Sequence, residues 1–292
     1  MKIACIVDTL GKVQHKRLCI LQKYIDDHFE MFSTKTKTKN RRMARCDVVY
    51  LSNPSYLVSV PKFSGDIFCS ITSHKCLENK KQFLSTLKRF SRISVNNTIL
   101  FNEFKNNIER LYYTPNGVDR SLFCFSNKSL GSPIKIGWVG NMDRAAKNYE
   151  NIVLPLTKYK FNNVVFSILA TSKYDNPKNM LTSEKMLEYY RSLDFLMITS
   201  TTEGTPNPGL EALSCGIPLI TTRVGNMIEI IEHDKNGVFC NPIKESFIDA
   251  INSISSVSSD KYNSMRIAAN DSMMSWDWGV KSKEWIKFFK GI

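Results

Sequence analysis

Two carboxylates with seven residues between them, Glu203 and Glu211, bracket the stretch of this chain whose residue types could hold a charged small molecule. The stretch runs from Thr199 to Gly216 and follows an apolar run, Phe195–Ile198, which reads as a buried strand. Asn207 before Pro208 predicts a helix N-cap and first helical position, with Gly216 as the stop and Pro218 beyond it. The expected local structure is strand, polar loop, short helix. A helix opened in this way turns backbone N–H groups and the positive end of its dipole outward, which suits an anion such as a phosphate. On this reading Glu203 lies in the loop and Glu211 in the first helical turn. A plainer explanation stands beside it. The dipole favours an acid in a first turn whatever the function, and Pro and Gly in a loop mark only a turn.

The elements that must position these residues are bounded by composition. A chain of 292 residues makes one large or two modest domains, and 42% hydrophobic content supplies real cores. No apolar run is long enough to span a bilayer, and Met1–Val7 is too short and too soon polar for a signal peptide. The eight cysteines are scattered without a C-x-x-C pair, and Cys5, Cys69 and Cys240 fall in apolar strands. They read as reduced core thiols of a cytoplasmic protein rather than disulfides or zinc ligands. The net charge of +13 is uneven: residues 1–125 hold 21 Lys and Arg against 10 Asp and Glu, and residues 126–292 hold 19 against 17. The asymmetry predicts two domains, the first meeting something anionic. A merely lysine-rich, soluble surface is the alternative.

Strands and helices alternate along both parts, which predicts parallel sheets covered on both faces, with ligands at the carboxyl ends of the strands. In the first part, Ile3–Val7, 47–51, 65–72 and 93–95 read as strands, with helices from near His15, around 78–90 and over 98–110. Residues 33–45 carry six basic residues and no apolar period, and read as a mobile surface loop. Residues 126–133 read as the linker. The second part opens on 134–139, with Gly140 ending that strand and a helix from about Lys147. Asn226 and Glu229 look like a capping box.

Glu-Gly-x-Pro followed by Leu-Glu-Ala-Leu-x-Cys-Gly-x-Pro, over 203–218, resembles the donor-site signature of retaining nucleotide-sugar glycosyltransferases of the GT-B fold, family four. Ile136-Gly-Trp-Val-Gly140 with Lys147, Val224-Gly225, Asn236-Gly-Val-Phe239 and Asn241-Pro242 follow in the family's order. Pro115-Asn-Gly-Val-Asp119 and Trp276-Asp-Trp278 extend the likeness over roughly residues 111–290. The resemblance implies two Rossmann-like, doubly wound domains facing a cleft. They would be an acceptor-binding domain over 1–125 and a nucleotide-sugar-binding domain over 134–275. A C-terminal helix over 276–292 would cross back to the first domain.

The same resemblance implies the roles of single residues. Lys147 would hold the donor diphosphate as a point charge, with Arg144 as second cation; the family has Arg directly after the glycine, where this chain has Asn141. Backbone amides over Thr205, Pro206, Asn207, Pro208, Gly209 and Leu210, together with the Gly140 turn, would meet sugar and diphosphate. Glu211 would accept hydrogen bonds from the ribose, and Glu203 would lie by the donor sugar. In the first domain His74 would face that sugar, and Gly11 belongs to a reduced glycine turn lining the cleft. The co-substrate would be a UDP- or GDP-type nucleotide sugar, with no other cofactor. No metal is implied, since Asp-x-Asp is absent.

The expected activity is sugar transfer with retention to an acceptor hydroxyl, in glycan or lipid-linked saccharide synthesis. The basic first domain would then touch anionic lipid at the inner membrane face. A transferase acting on modified bases in DNA is the main alternative, although the basic stretch 33–45 lacks the interleaved aromatics of a base-stacking surface. A sugar-nucleotide epimerase or an inactive binding homologue is the other. An inactive homologue would be expected to lose Lys147, Glu203 or Glu211, and all three are present.

Overall fold

The computed structural model of the chain describes residues 1–36, 39–60, 63–172 and 181–292. They form two compact units: Met1–Asn116 with Trp278–Ile292, and Gly117–Asp277. Each is built on its own parallel sheet, with strand–helix crossovers of the kind parallel pairing requires.

The first sheet contains β1 (Lys2–Val7), β2 (His28–Ser33), β3 (Val48–Leu51), β4 (Asp66–Ile71), β5 (Arg92–Val95) and β6 (Leu111–Tyr113), in the order β2-β1-β3-β4-β5-β6. Both faces are buried, so β1 reads as a continuous apolar run. Its alternate residues serve separate cores. Ala4 and Ile6 pack with Val49, Leu51 and Leu100, while Ile3, Cys5 and Val7 pack with Leu18, Leu21 and Trp285. Trp285 belongs to the last helix, Trp278–Lys290, which covers that second face. The Trp285 indole N–H donates to the Pro115 carbonyl at 2.9 Å. At the other end of that helix, Arg92 donates to the Phe288 carbonyl at 3.0 Å. Arg17, unremarked in the sequence, is buried beneath the helix. Its guanidinium lies 4.8 Å from the Trp285 ring centroid and donates to the Tyr50 hydroxyl at 3.1 Å.

The second sheet contains β7 (Ile134–Asn141), β8 (Val164–Thr171), β9 (Phe195–Ile198), β10 (Leu219–Thr222) and β11 (Gly237–Cys240), in the order β11-β10-β9-β7-β8. All pairings are parallel. Two core clusters cover its faces, one around Leu196, Leu210 and Leu213, the other around Trp138, Phe195 and Phe247. None of the eight cysteines is in a disulfide, and five are buried.

Several expectations change. β2 carries no strand signal in the sequence pattern. It is an edge strand whose burial does not alternate cleanly, and only Phe29 and Phe32 are fully covered. Residues 33–45, expected as a loop, include a helix over Lys39–Met43, because Met43 enters the core and Arg42 pairs with Glu30. Lys37, one of the basic residues counted there, lies outside the described residues. The first unit ends at Asn116 rather than 125. Residues 117–125 join the second unit, where Val118 bonds to the Trp276 carbonyl at 2.9 Å and Phe123 is buried against Tyr190.

Residues 126–133, read as a linker, are fastened to the second unit. The nearly fully buried Arg266 donates to the carbonyls of Ser126, Lys128 and Gly216. Asp194, 1% exposed, accepts from the Gly131 and Lys135 amides at 3.3 and 2.8 Å and from the Tyr262 hydroxyl at 3.2 Å. It also pairs with Lys128 at 2.8 Å. A buried carboxylate needs this many donors to offset its lost hydration. Removing it leaves two amides without their acceptor and takes the counter-charge from the Lys128 ammonium, which among the described residues keeps only the Leu193 carbonyl. Asp194→Ala is expected to lower unfolding free energy by about 3 kcal/mol, measured by urea denaturation against the surface control Asp260→Ala.

Candidate active site

In the second unit β7 has β8 on one side and β9 on the other, and the chain reverses its winding there. A crevice forms at such a reversal, beyond the carboxyl ends of the two strands. The loops leaving those ends carry Gly140 to Asn148 and Thr199 to Pro206.

β7 continues through Gly140 to Asn141, one residue past the expected end. A Cβ at Gly140 would stand 2.8 Å from the Trp138 indole, so only glycine leaves that ring its place. The indole N–H then donates to the Thr199 hydroxyl at 3.0 Å, and that hydroxyl donates to the Lys147 carbonyl at 2.6 Å. A 3-10 turn over Ala145–Lys147 ends at Asn148 in the left-handed conformation, φ 53° and ψ 34°. Its side-chain amide bonds to the Thr199 carbonyl at 2.8 Å, a local compensation that asparagine can supply. These bonds fix Lys147 against the end of β9. Its ammonium lies 2.6 Å from Glu203 Oε1, with both side chains about nine-tenths buried. Ser200 donates a further bond to the same oxygen at 3.0 Å.

The loop after Glu203 is held from behind. The Thr205 hydroxyl donates to Asn226 Oδ1 at 2.6 Å, and the Asn226 amide donates to Glu229 at 3.1 Å. This is a side-chain relay in place of the expected capping box, and no Asn226 side-chain cap forms. Gly225 has φ +50°, and a Cβ there would stand 2.5 Å from the Gly204 carbonyl. The two loops touch at that point because this residue has no side chain.

The helix over Asn207–Ser214 is capped by Pro206, so Asn207 is its first residue rather than its cap. Glu211 is accordingly its fifth residue, beyond the first turn. The Asn207 and Gly209 amides bond to the Thr205 and Pro206 carbonyls at 3.0 and 2.8 Å, and Pro208 has no N–H. The helix opening therefore spends part of its expected donors on the chain itself. Pro206 and Leu210 are buried, and Gly209 packs where a Cβ would meet Met227 at 3.1 Å. Glu211 is half-buried and receives the Tyr190 hydroxyl at 2.6 Å. Burial, with the Glu211 charge added, pushes the Tyr190 phenol well above its ordinary range.

The structure thus joins Lys147 to Glu203 directly and sets Glu211 on the helix that follows. Arg144 is exposed, and among the described residues its guanidinium makes no hydrogen bond or ion pair. Gly11 and His74 belong to the first unit, at the carboxyl ends of β1 and β4. Gly11 has φ +87° with open space around it, so its glycine serves backbone conformation rather than room. His74 opens a 3-10 turn and is half-buried. Tyr190 has no distinguishing spacing, and the Asn226–Glu229 spacing points to a helix cap rather than to the bond with Thr205. Among the described residues no three His, Cys, Asp or Glu side chains form a metal-holding group.

The architecture is that of the GT-B fold. The chain superposes over its full length on Anabaena HepE in complex with UDP and glucose, with a TM-score of 0.79, 14% identity and 100% of each chain covered. It is also similar to the sucrose-phosphate synthase of Thermosynechococcus elongatus, with a TM-score of 0.78, 12% identity and 99% and 98% coverage. Residues 133–256, within the second unit, match the family described as Glycosyl transferases group 1. Two uncharacterized glycosyltransferases of Methanocaldococcus jannaschii are 32% and 31% identical over 62 and 74 residues, 21% and 24% of this chain. Those segments span 16% and 21% of the relatives' own lengths. The full-length likeness is thus one of fold, and the family match falls within the second unit.

The contact at Gly225 gives a direct check. Gly225→Ala is expected to push Gly204 out of place at a cost of about 2 kcal/mol, read as a lowered thermal midpoint. Asn236→Ala, whose side chain bonds elsewhere in the unit, should leave the 203–205 loop where it is in a crystal structure.

Proposed function

We propose that the protein transfers a sugar from a nucleoside-diphosphate sugar to an acceptor hydroxyl, with the donor held by the second unit. The observation that carries this is the buried Lys147–Glu203 pair at the sheet's reversal point, on the loop leading to Glu211. An ammonium has three N–H groups, so Lys147 can keep Glu203 and still donate to a phosphate oxygen. As the bond from sugar carbon to diphosphate breaks, negative charge grows on the leaving oxygen. A fixed cation in a half-dry site stabilises that charge far more than water does. The acceptor oxygen forms the new bond to the sugar carbon, and its proton passes to the departing diphosphate. Arg144, exposed on the same turn, is the second cation this reading assigns. Glu211 takes the ribose and Glu203 lies by the donor sugar.

The family likeness favours retention of configuration and operation without a metal. A uridine donor is favoured because solved HepE complexes hold UDP and UDP-glucose. No helix among the described residues is long and apolar enough to cross a membrane.

For the acceptor, a glycan or a lipid-linked saccharide is the first reading, with Gly11 and His74 on the acceptor-binding unit. One feature favours a polyanion beside it. The first unit has a groove of about 510 Å³ whose charged lining is Lys81, Lys88, Arg92 and Arg110 against the single acid Glu109. Arg92 opens β5 and Arg110 precedes β6, so the groove lies at the amino ends of these strands, whereas Gly11 and His74 follow the carboxyl ends of β1 and β4 in the same parallel sheet. Such a placement suits an anchor on anionic lipid; DNA is the alternative polyanion.

A panel of UDP- and GDP-sugars should include one that raises the thermal midpoint, since a ligand binding only the folded state stabilises it. No shift from any would overturn the donor reading. Lys147→Ala and Glu211→Ala are expected to lose transfer by about a hundredfold or more with a native circular-dichroism spectrum, and full activity in both would sink the site. Lys81→Glu combined with Lys88→Glu should abolish pelleting with phosphatidylglycerol vesicles at low salt. Retention of duplex DNA, lost at high salt, would instead favour the nucleic-acid alternative.

A further inference from the structure

The Tyr190–Glu211 bond lies outside everything the donor reading requires, yet its geometry bears on how that site binds. Tyr190 lies in the last turn of the helix Ser183–Arg191 and is fully buried. Its ring packs edge-on against Phe123 at 6.0 Å and against Tyr189 at 5.9 Å. Its neighbours in the core are Leu193, Leu196 and Leu213. A phenylalanine would fill the same space. The hydroxyl therefore adds nothing to the packing and has one visible task, the 2.6 Å bond to Glu211 Oε2. That bond is short and assisted by charge, the stronger kind. The phenol stays protonated in this setting and can only donate to the carboxylate.

Glu211 is half-buried on its helix and has three side-chain torsions to fix. A carboxylate that must be ordered when a ligand arrives loses affinity to that ordering, and one held beforehand does not. We infer that Tyr190 is the positioning residue for nucleotide recognition: it clamps one oxygen of Glu211 so that the carboxylate is already oriented when the ribose hydroxyls meet it. The inference rests on the nucleotide-sugar reading above and deepens it. Ribose affinity is then set partly by a core residue that touches no ligand. The rigid ring acts from the helix Ser183–Arg191 on a side chain of the helix Asn207–Ser214.

The test uses the full chain, with UDP, 2′-deoxy-UDP and 3′-deoxy-UDP titrated calorimetrically into wild type, Tyr190→Phe and Glu211→Gln, and a parallel set with GDP and its deoxy forms. In wild type at least one deoxy form should bind about tenfold more weakly than its parent. Tyr190→Phe should weaken the parent nucleotide by a similar factor and shrink the deoxy penalty to under about threefold, as Glu211→Gln does. Unchanged affinity in Tyr190→Phe would overturn the inference. So would equal weakening of parent and deoxy forms, which marks a general loosening of the core. Wild type that binds UDP or GDP without any ribose dependence overturns the inference alone. Wild type that binds neither nucleotide overturns the donor reading and this inference with it.

Discussion

Two opposite charges, Lys147 and Glu203, are held 2.6 Å apart with little access to water, and much of the second unit's local architecture serves that arrangement. Burying an ion costs several kcal/mol, which attraction offsets only when geometry is good and the remaining donors and acceptors are used. The chain meets that condition by a sequence of small commitments. Gly140 leaves room for Trp138, Trp138 orients Thr199, Thr199 holds the Lys147 carbonyl, and Asn148 turns left-handed to close the corner. Ser200 then supplies a further donor to Glu203. The pair is a cation held in place with its counter-charge beside it.

The same logic recurs where no chemistry is at stake. Asp194 and Arg266 are buried charges that take their partners mainly from backbone, and they convert a stretch of linker composition into part of a folded unit. In the first unit Arg17 plays the comparable part beneath the last helix, lying on Trp285 and donating to Tyr50. These residues give no signal in a sequence pattern. An Asp at the start of an apolar run, or an Arg in an amphipathic helix, looks like surface until the chain closes over it.

The fold was legible because parallel sheets bury both faces of each strand. β1, β3, β9 and β10 are short apolar runs between polar turns, and their alternation with helices fixes the class. β2 escaped because an edge strand needs little burial, and Phe29 and Phe32 alone do not make a period. The basic stretch after it looked solvated, yet Met43 was enough to draw a helical turn onto the core. At the site, Glu203, Glu211 and Lys147 stood out by type and order. Asn207 did not turn out to be the cap, because Pro206 already ends the loop and the Asn207 amide bonds back to Thr205.

The sequence by itself determined two parallel-sheet units and the ordered set of acids, glycines and lysine at one sheet's carboxyl edge. That much follows from short-range physics: strand burial, turn residues and helix ends are encoded within a few positions. Only the tertiary structure decided which of those groups pair. Lys147 meets Glu203 across 56 positions, Tyr190 meets Glu211 across 21, and Gly225 makes room for Gly204. A charge's partner depends on which loops the sheet order brings together and on how little water remains there. Neither is written in the local pattern of the residues themselves.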